Sequence, residues 1–299
     1  MRSALARVTW CKLRAVIHRG AVLVTGASSG IGQACALRLD QAGYRVFASA
    51  LSLEEGAETK RQASSRLEII VLDITEADSI HRALSTITGA VGETGLRALV
   101  NNAGILYCAP LELGSMAAVR QVFEVNVFGQ IALTQAFLPL LRQNRSRSCI
   151  INIGSLAGRS ALPFTSPYNA SKFALRALSD TWRLELKRQG IAVVLIEPGM
   201  VVTPIWQKSS DGARALAHQW APEILQRYPF FLSQTDEVAQ IARKNGVSPA
   251  RVAGVVLHAL QTKRPRAHYR IGSEARLLLS VEKLPTRLRD WLIARRFSL

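Results

Sequence analysis

The sequence predicts an α/β fold: one domain built on a doubly wound parallel sheet with helices on both faces. Three observations predict it. Short apolar runs alternate with stretches of helical periodicity, as strands and crossover helices do in parallel sheets. A glycine-rich turn follows the first run, and polar residues with chemical potential recur at the carboxyl ends of later runs. Those ends are where an open α/β sheet collects its ligands.

The expected strands are Ala21–Val24, Arg45–Ala48, Glu68–Leu72, Ala98–Val100, Cys149–Ile153, Ala192–Ile196 and Ala267–Ile271. The expected helices are Gly30–Gln41, Ser79–Ile87, Met116–Arg142, Pro167–Arg188 and Ser248–Gln261. With 299 residues, 48% hydrophobic and 20% charged, the chain can bury one large core. No linker, repeat or low-complexity segment divides residues 20–272.

The turn is Thr25-Gly26-Ala27-Ser28-Ser29-Gly30-Ile31-Gly32, between the first strand and the first helix. Unpaired amide groups and the helix dipole make such a junction an anion site, suited to a diphosphate. Glycine is required where backbone must approach a ligand or take positive φ, and Gly26, Gly30 and Gly32 supply it. By itself the turn fits an ordinary strand-to-helix junction as well.

Four further signals close later strands: Asp73; Asn101-Asn102-Ala103-Gly104; Ser155; and Pro198-Gly199. Tyr168 and Lys172, four apart on one helix face, bring an ammonium near a phenol. A nearby cation favours phenolate, so lysine is expected to lower the tyrosine pKa toward neutrality.

Together these residues resemble the short-chain dehydrogenase/reductase family. The match rests on Thr-Gly-x-x-x-Gly-x-Gly at 25–32, Asn-Asn-Ala-Gly at 101–104, Asn126 in Val-Asn-Val, Ser155, Tyr-x-x-x-Lys at 168–172, and Pro-Gly at 198–199. It implies a Rossmann fold and an oxidoreductase moving hydride between NAD(P) and an alcohol or carbonyl. In that scheme Tyr168 is the general acid/base and Ser155 polarises the substrate oxygen. Lys172 tunes Tyr168 and holds the nicotinamide ribose, while Asn126 supports a water relay. The cofactor would be bound by Gly26, Ser28, Ser29, Gly30, Ile31, Gly32, Asp73, Asn102, Gly104, Tyr168, Lys172, Pro198, Gly199, Val201 and Thr203. Dimers or tetramers through the helices Met116–Arg142 and Pro167–Arg188 are also implied. Tyr44 to Leu51, Ser65 to Thr75 and the basic carboxyl-terminal stretch look like the branch of retinol, hydroxysteroid and 3-hydroxybutyrate dehydrogenases. That branch acts on hydrophobic secondary or allylic alcohols, and several members associate with membranes. Its amino-terminal anchor is not apparent.

An acid after the second strand selects NAD, and an arginine nearby selects NADP. Here Ala50-Leu51-Ser52 offers neither, which favours NAD, while Lys60 and Arg61 leave NADP open. Substrate selection is expected in a helical lid over residues 205–247, rich in rings: Trp206, Trp220, Tyr228, Phe230 and Phe231, with Phe164 contributed from near Tyr168. Such rings suit an apolar substrate or simply pack the lid.

The net charge of +17 sits mostly at the ends. Residues 1–20 carry five Lys/Arg and no acid, and residues 263–299 carry ten against three acids. Segment 1–19 fits either a mitochondrial presequence or a surface extension. Segment 273–299 fits either a basic amphipathic membrane contact or a packed terminal helix. No nucleic-acid motif accompanies the charge. No run reaches the about 18 apolar residues of a membrane span. Cys11, Cys35, Cys108 and Cys149 are too scattered for a metal knuckle or disulfide framework. The expected place is the cytoplasm, with peripheral membrane contact or mitochondrial import as variants. The rival functions are a non-catalytic dinucleotide sensor and a membrane-surface adaptor.

Overall fold

The computed structural model describes residues 19–144, 147–272 and 280–297. Seven parallel strands form one sheet: β1 (Ala21–Val24), β2 (Arg45–Ala50), β3 (Leu67–Val71), β4 (Leu96–Asn101), β5 (Ser148–Ile153), β6 (Ile191–Pro198) and β7 (His268–Ile271). Their order is β3-β2-β1-β4-β5-β6-β7. Connections run outward one way from β1 and the other way from β4, so the crevice opens between these two strands, at their carboxyl ends. The doubly wound expectation holds, and each expected strand is present within two residues at either end.

Alternate residues of β1 serve opposite layers, as the period of a strand requires. Val22 and Val24 join the core beneath α1 (Gly30–Gln41) and α10 (Pro249–Gln261). Ala21 and Leu23 join the core beneath α3 (Ala77–Val91) and α5 (Gly129–Gln143). A buried polar chain crosses the middle of the sheet. Asn101 Nδ2 donates to Thr134 Oγ1 at 3.0 Å and to Asn152 Oδ1 at 2.9 Å, and Asn152 Nδ2 donates to Ser179 Oγ at 2.8 Å. It pins β4 and β5 to α5 and to α6 (Ser166–Glu185), the helix that carries Tyr168 and Lys172.

Three regions differ from expectation. Helix α2 (Leu53–Gln62) was not anticipated, because it buries only Gly56 and Thr59 and shows no apolar stripe. Its signals are local: Ser52 Oγ accepts from Glu55 N at 3.2 Å, with acids in the first turn and bases in the last. The long helix expected at Met116–Arg142 is broken into α4 (Met116–Phe123), a π-helical turn (Glu124–Phe128) and α5. The π turn contains Asn126, and such turns recur at functional sites. The lid consists of α7 (Ile205–Ala217), α8 (Pro222–Arg227) and α9 (Phe231–Asn245). The basic amino-terminal segment 1–18 lies outside the described residues, as does 273–279. The end of the carboxyl-terminal segment forms α11 (Thr286–Arg296), which buries none of its residues.

Candidate active site

The crevice is a cleft of about 1080 Å³. The glycine turn lines it, with Gly26 and Gly30 at φ of +61° and +58°. No side chain caps the start of α1, and the hydroxyl-bearing Ser28 and Ser29 line the cleft beside it. That arrangement fits a diphosphate. The turn is braced from below. Asn102 Nδ2 donates to Thr25 O at 2.8 Å and to Gly26 O at 3.1 Å, while Thr25 Oγ1 accepts from Asn102 N at 2.9 Å.

Of the expected cofactor residues, Gly26, Ser28, Ser29, Gly30, Ile31, Asp73, Asn102, Gly104, Tyr168, Lys172, Pro198, Gly199, Val201 and Thr203 line this cleft. Gly32 does not. A Cβ there would lie 2.1 Å from Gly26 O and 2.5 Å from Asn102 Nδ2, so this glycine lets α1 close onto the turn rather than touch a ligand. Asp73 both lines the cleft and holds a local turn, its Oδ1 accepting from Thr75 N at 2.9 Å and Thr75 Oγ1 at 2.7 Å.

Ser155, Tyr168 and Lys172 meet in the same cleft. Lys172 Nζ donates to Ile153 O at 3.0 Å and stands 5.7 Å from the centroid of the Tyr168 ring. Burial of the ammonium drives the Lys172 pKa down to about 8. The tyrosine differs from expectation. Burial pushes the Tyr168 phenol above its ordinary value, and a hydrogen bond with Ser155 pulls it partly back. The lysine does not dominate because its ammonium is committed to the carbonyl at the end of β5, over the ring face. Desolvation outweighs any attraction at that placement.

Asn126 is fully buried and lies outside the cleft lining. Its Oδ1 accepts from Ile105 N at 2.8 Å, and its Nδ2 donates to Ile105 O at 2.9 Å and Ser171 Oγ at 3.0 Å. With both amide hydrogens used, the side chain clamps the loop after β4 to α6.

Among lining residues the sequence did not single out are Glu55, Glu76, Leu106, Arg120 and Lys208. The capping signal at Ser52 would have found α2 and with it Glu55; the others depend on how distant segments fold over the cleft. Lys60 and Arg61 turn away. Lys60 donates to Leu67 O and Arg61 pairs with Glu58. Of the lid rings, Trp206 lines the cleft, its indole N–H held by Val201 O at 2.8 Å. Phe231 is buried, with Phe164 at 5.3 Å and Trp220 at 5.5 Å between centroids, and Tyr228 packs edge-on to Phe164. These rings are the lid's own core. No cluster of metal-ligating side chains occurs among the described residues.

A family model described as short chain dehydrogenase matches residues 20–214. The chain belongs to the short-chain dehydrogenase family. Its relatives include 17-beta-hydroxysteroid dehydrogenase type 6 of Bos taurus, 35% identical over 281 residues that cover 92% of this chain and 87% of the relative. Retinol dehydrogenase 16 of Homo sapiens is 36% identical over 277 residues, covering 90% and 86%. A solved short-chain dehydrogenase from Streptomyces avermitilis matches with a TM-score of 0.74 at 27% identity, covering 93% of this chain and 97% of that one. As a short-chain dehydrogenase, the protein is an NAD(P)-dependent oxidoreductase of alcohols and carbonyls.

Proposed function

We propose that this short-chain dehydrogenase interconverts a hydrophobic secondary or allylic alcohol and its carbonyl, using NAD. The observation that carries the reading is the meeting of Ser155, Tyr168 and Lys172 in one cleft with the glycine turn. Bound along that cleft, a nicotinamide dinucleotide supplies hydride exchange with the substrate carbon. Tyr168 gives or takes the hydroxyl proton, Ser155 holds the same oxygen, and Lys172 binds the ribose and carries charge beside the phenol. Thr203 and Val201 orient the carboxamide, and Asp73 faces the adenine end. Asn126 keeps the site in shape and supports the proton route.

Glu55 supports the choice of NAD. It lines the cleft one helical turn beyond β2, where a carboxylate accepts from a ribose hydroxyl and repels a 2′-phosphate. Leu106, Ile205 and Trp206 in the lining support an apolar substrate, as do the hydroxysteroid and retinol dehydrogenases among the relatives. Exposed Met116, Phe128, Phe173 and Leu184 on and around α4 to α6 support self-association as a dimer or tetramer. No described helix is long and apolar enough to cross a membrane. The basic residues of α11, with Leu288 and Trp291 exposed, support peripheral contact with an anionic surface.

The test is a panel of steroids, retinoids and 3-hydroxyacyl compounds with NAD and NADP, following absorbance of the reduced dinucleotide. Turnover with an apolar alcohol and NAD is expected. In Tyr168→Phe, kcat should fall by about 100-fold or more while NADH still binds. Unchanged turnover in that variant overturns the assignment.

A further inference from the structure

A buried ionic node lies behind the catalytic serine, outside the residues that line the cleft. Arg159, four residues past Ser155, donates to Glu197 from Nε at 2.6 Å and from Nη2 at 3.0 Å. Both side chains are buried, 8% and 1% exposed. Glu197 immediately precedes Pro198-Gly199. Its Oε2 also lies 3.3 Å from His268 Nδ1 and 3.5 Å from Arg270 Nε, both on β7. His268 Nε2 is 3.0 Å from Asp180 Oδ1, on the helix that carries Tyr168 and Lys172, and Arg183 Nη2 reaches the same oxygen at 2.6 Å. One carboxylate thus joins the serine segment, the end of β6, β7 and, through His268, α6.

The serine segment packs against α6, but few hydrogen bonds tie it to the rest of the fold. After Gly154 N donates to Ile196 O at 2.8 Å, the chain leaves the sheet. Residues Leu156–Gly158 form a single 3₁₀ turn, and the backbone amides of residues 157–160 donate only within Ser155 to Ser160. Gly158 rests directly on α6: a Cβ there would lie 2.7 Å from Lys172 O. The turn is therefore held between α6 on one side and the Arg159 anchor at its exit. A buried ion pair contributes little net stability over an apolar pair of similar size. A bidentate guanidinium–carboxylate pair does fix orientation as well as distance.

We propose that Arg159 and Glu197 are positioning residues of this active site, setting where the Ser155 hydroxyl stands relative to Tyr168. The proposal rests on the catalytic reading of Ser155 and Tyr168 given above. Neither Arg159 nor Glu197 touches the reacting atoms; both act through the turn.

The test reads the phenol directly, in the full-length protein and without substrate. Tyr168 ionisation is followed by ultraviolet difference titration against Tyr168→Phe, in Ser155→Ala, Arg159→Met, Arg159→Lys and the double variant Arg159→Met with Glu197→Gln. The double variant leaves no unpaired buried carboxylate, which keeps the experiment open if Arg159→Met does not fold. NADH binding by fluorescence and far-ultraviolet circular dichroism report an intact fold. Ser155→Ala is expected to move the titration up, since the hydrogen bond from Ser155 holds the phenol pKa down. Arg159→Met and the double variant should move it in the same direction, with Arg159→Lys between them and wild type and NADH binding retained. If Ser155→Ala shifts the phenol but the folded Arg159 variants titrate as wild type, the positioning role is overturned and the catalytic reading stands. If Ser155→Ala leaves the phenol unmoved and Tyr168→Phe keeps its turnover, the catalytic reading falls and takes the proposal with it.

Discussion

Lys172 is a side chain the fold carries at a cost. Its folded pKa of about 8 lies below the ordinary 10.5, so between those values the unfolded chain binds a proton that the folded chain has released. Stability therefore rises with pH across that window, and below pH 8 the whole penalty of burying the ammonium is present, about 3 kcal/mol. Tyr168 works in the opposite sense. Held protonated by burial, it contributes stability that is present below pH about 10 and lost as the phenol ionises above it. In urea titrations between pH 7 and 10, wild type should gain stability with pH and Lys172→Met should show a flattened profile. A slope that survives the substitution would assign the linkage to another group. The residue that weakens the fold is also the one proposed above to bind ribose and to carry charge beside the phenol.

The same balance appears at the level of elements, where the glycine turn and α1 must approach closer than side chains permit. Gly32→Ala places a methyl against Gly26 O and Asn102 Nδ2. It should cost about 1–3 kcal/mol in a thermal melt and abolish NADH binding in a fluorescence titration. Retained binding would show that α1 can back away without spoiling the turn. Much at this scale was legible beforehand. The strand β1 and helix α1 were bounded by a continuous apolar run, a glycine cluster and a clear helical period, and Ser155, Tyr168 and Lys172 stand together in the cleft. What escaped were features set by tertiary context. Helix α2 has no buried stripe to betray it. The π turn at Asn126 interrupts a sequence whose periodicity reads as one helix. Trp220, Tyr228 and Phe231 pack with Phe164 rather than into the cleft that Trp206 lines, a distinction that composition cannot make. The tyrosine–lysine spacing gave the right neighbours and the wrong balance, because spacing carries no information about desolvation.

For the whole molecule, the apolar groups left outside the core suggest what the surface is for. Leu184 and Met116 are 68% and 59% exposed on α6 and α4. Light scattering should report a dimer or tetramer, and Leu184→Glu with Met116→Glu should lower the mass. A wild type that scatters as a monomer would remove the role assigned to that face. The strand order has a consequence of another kind. Strand β1 pairs on one edge with β2 and on the other with β4, more than seventy residues later. A ribosome delivers β1, an interior strand of the sheet, long before its second neighbour. Until Leu96–Asn101 emerges, the nascent sheet ends in a fully apolar strand with an open hydrogen-bonding edge, which is the species chaperones exist to shield.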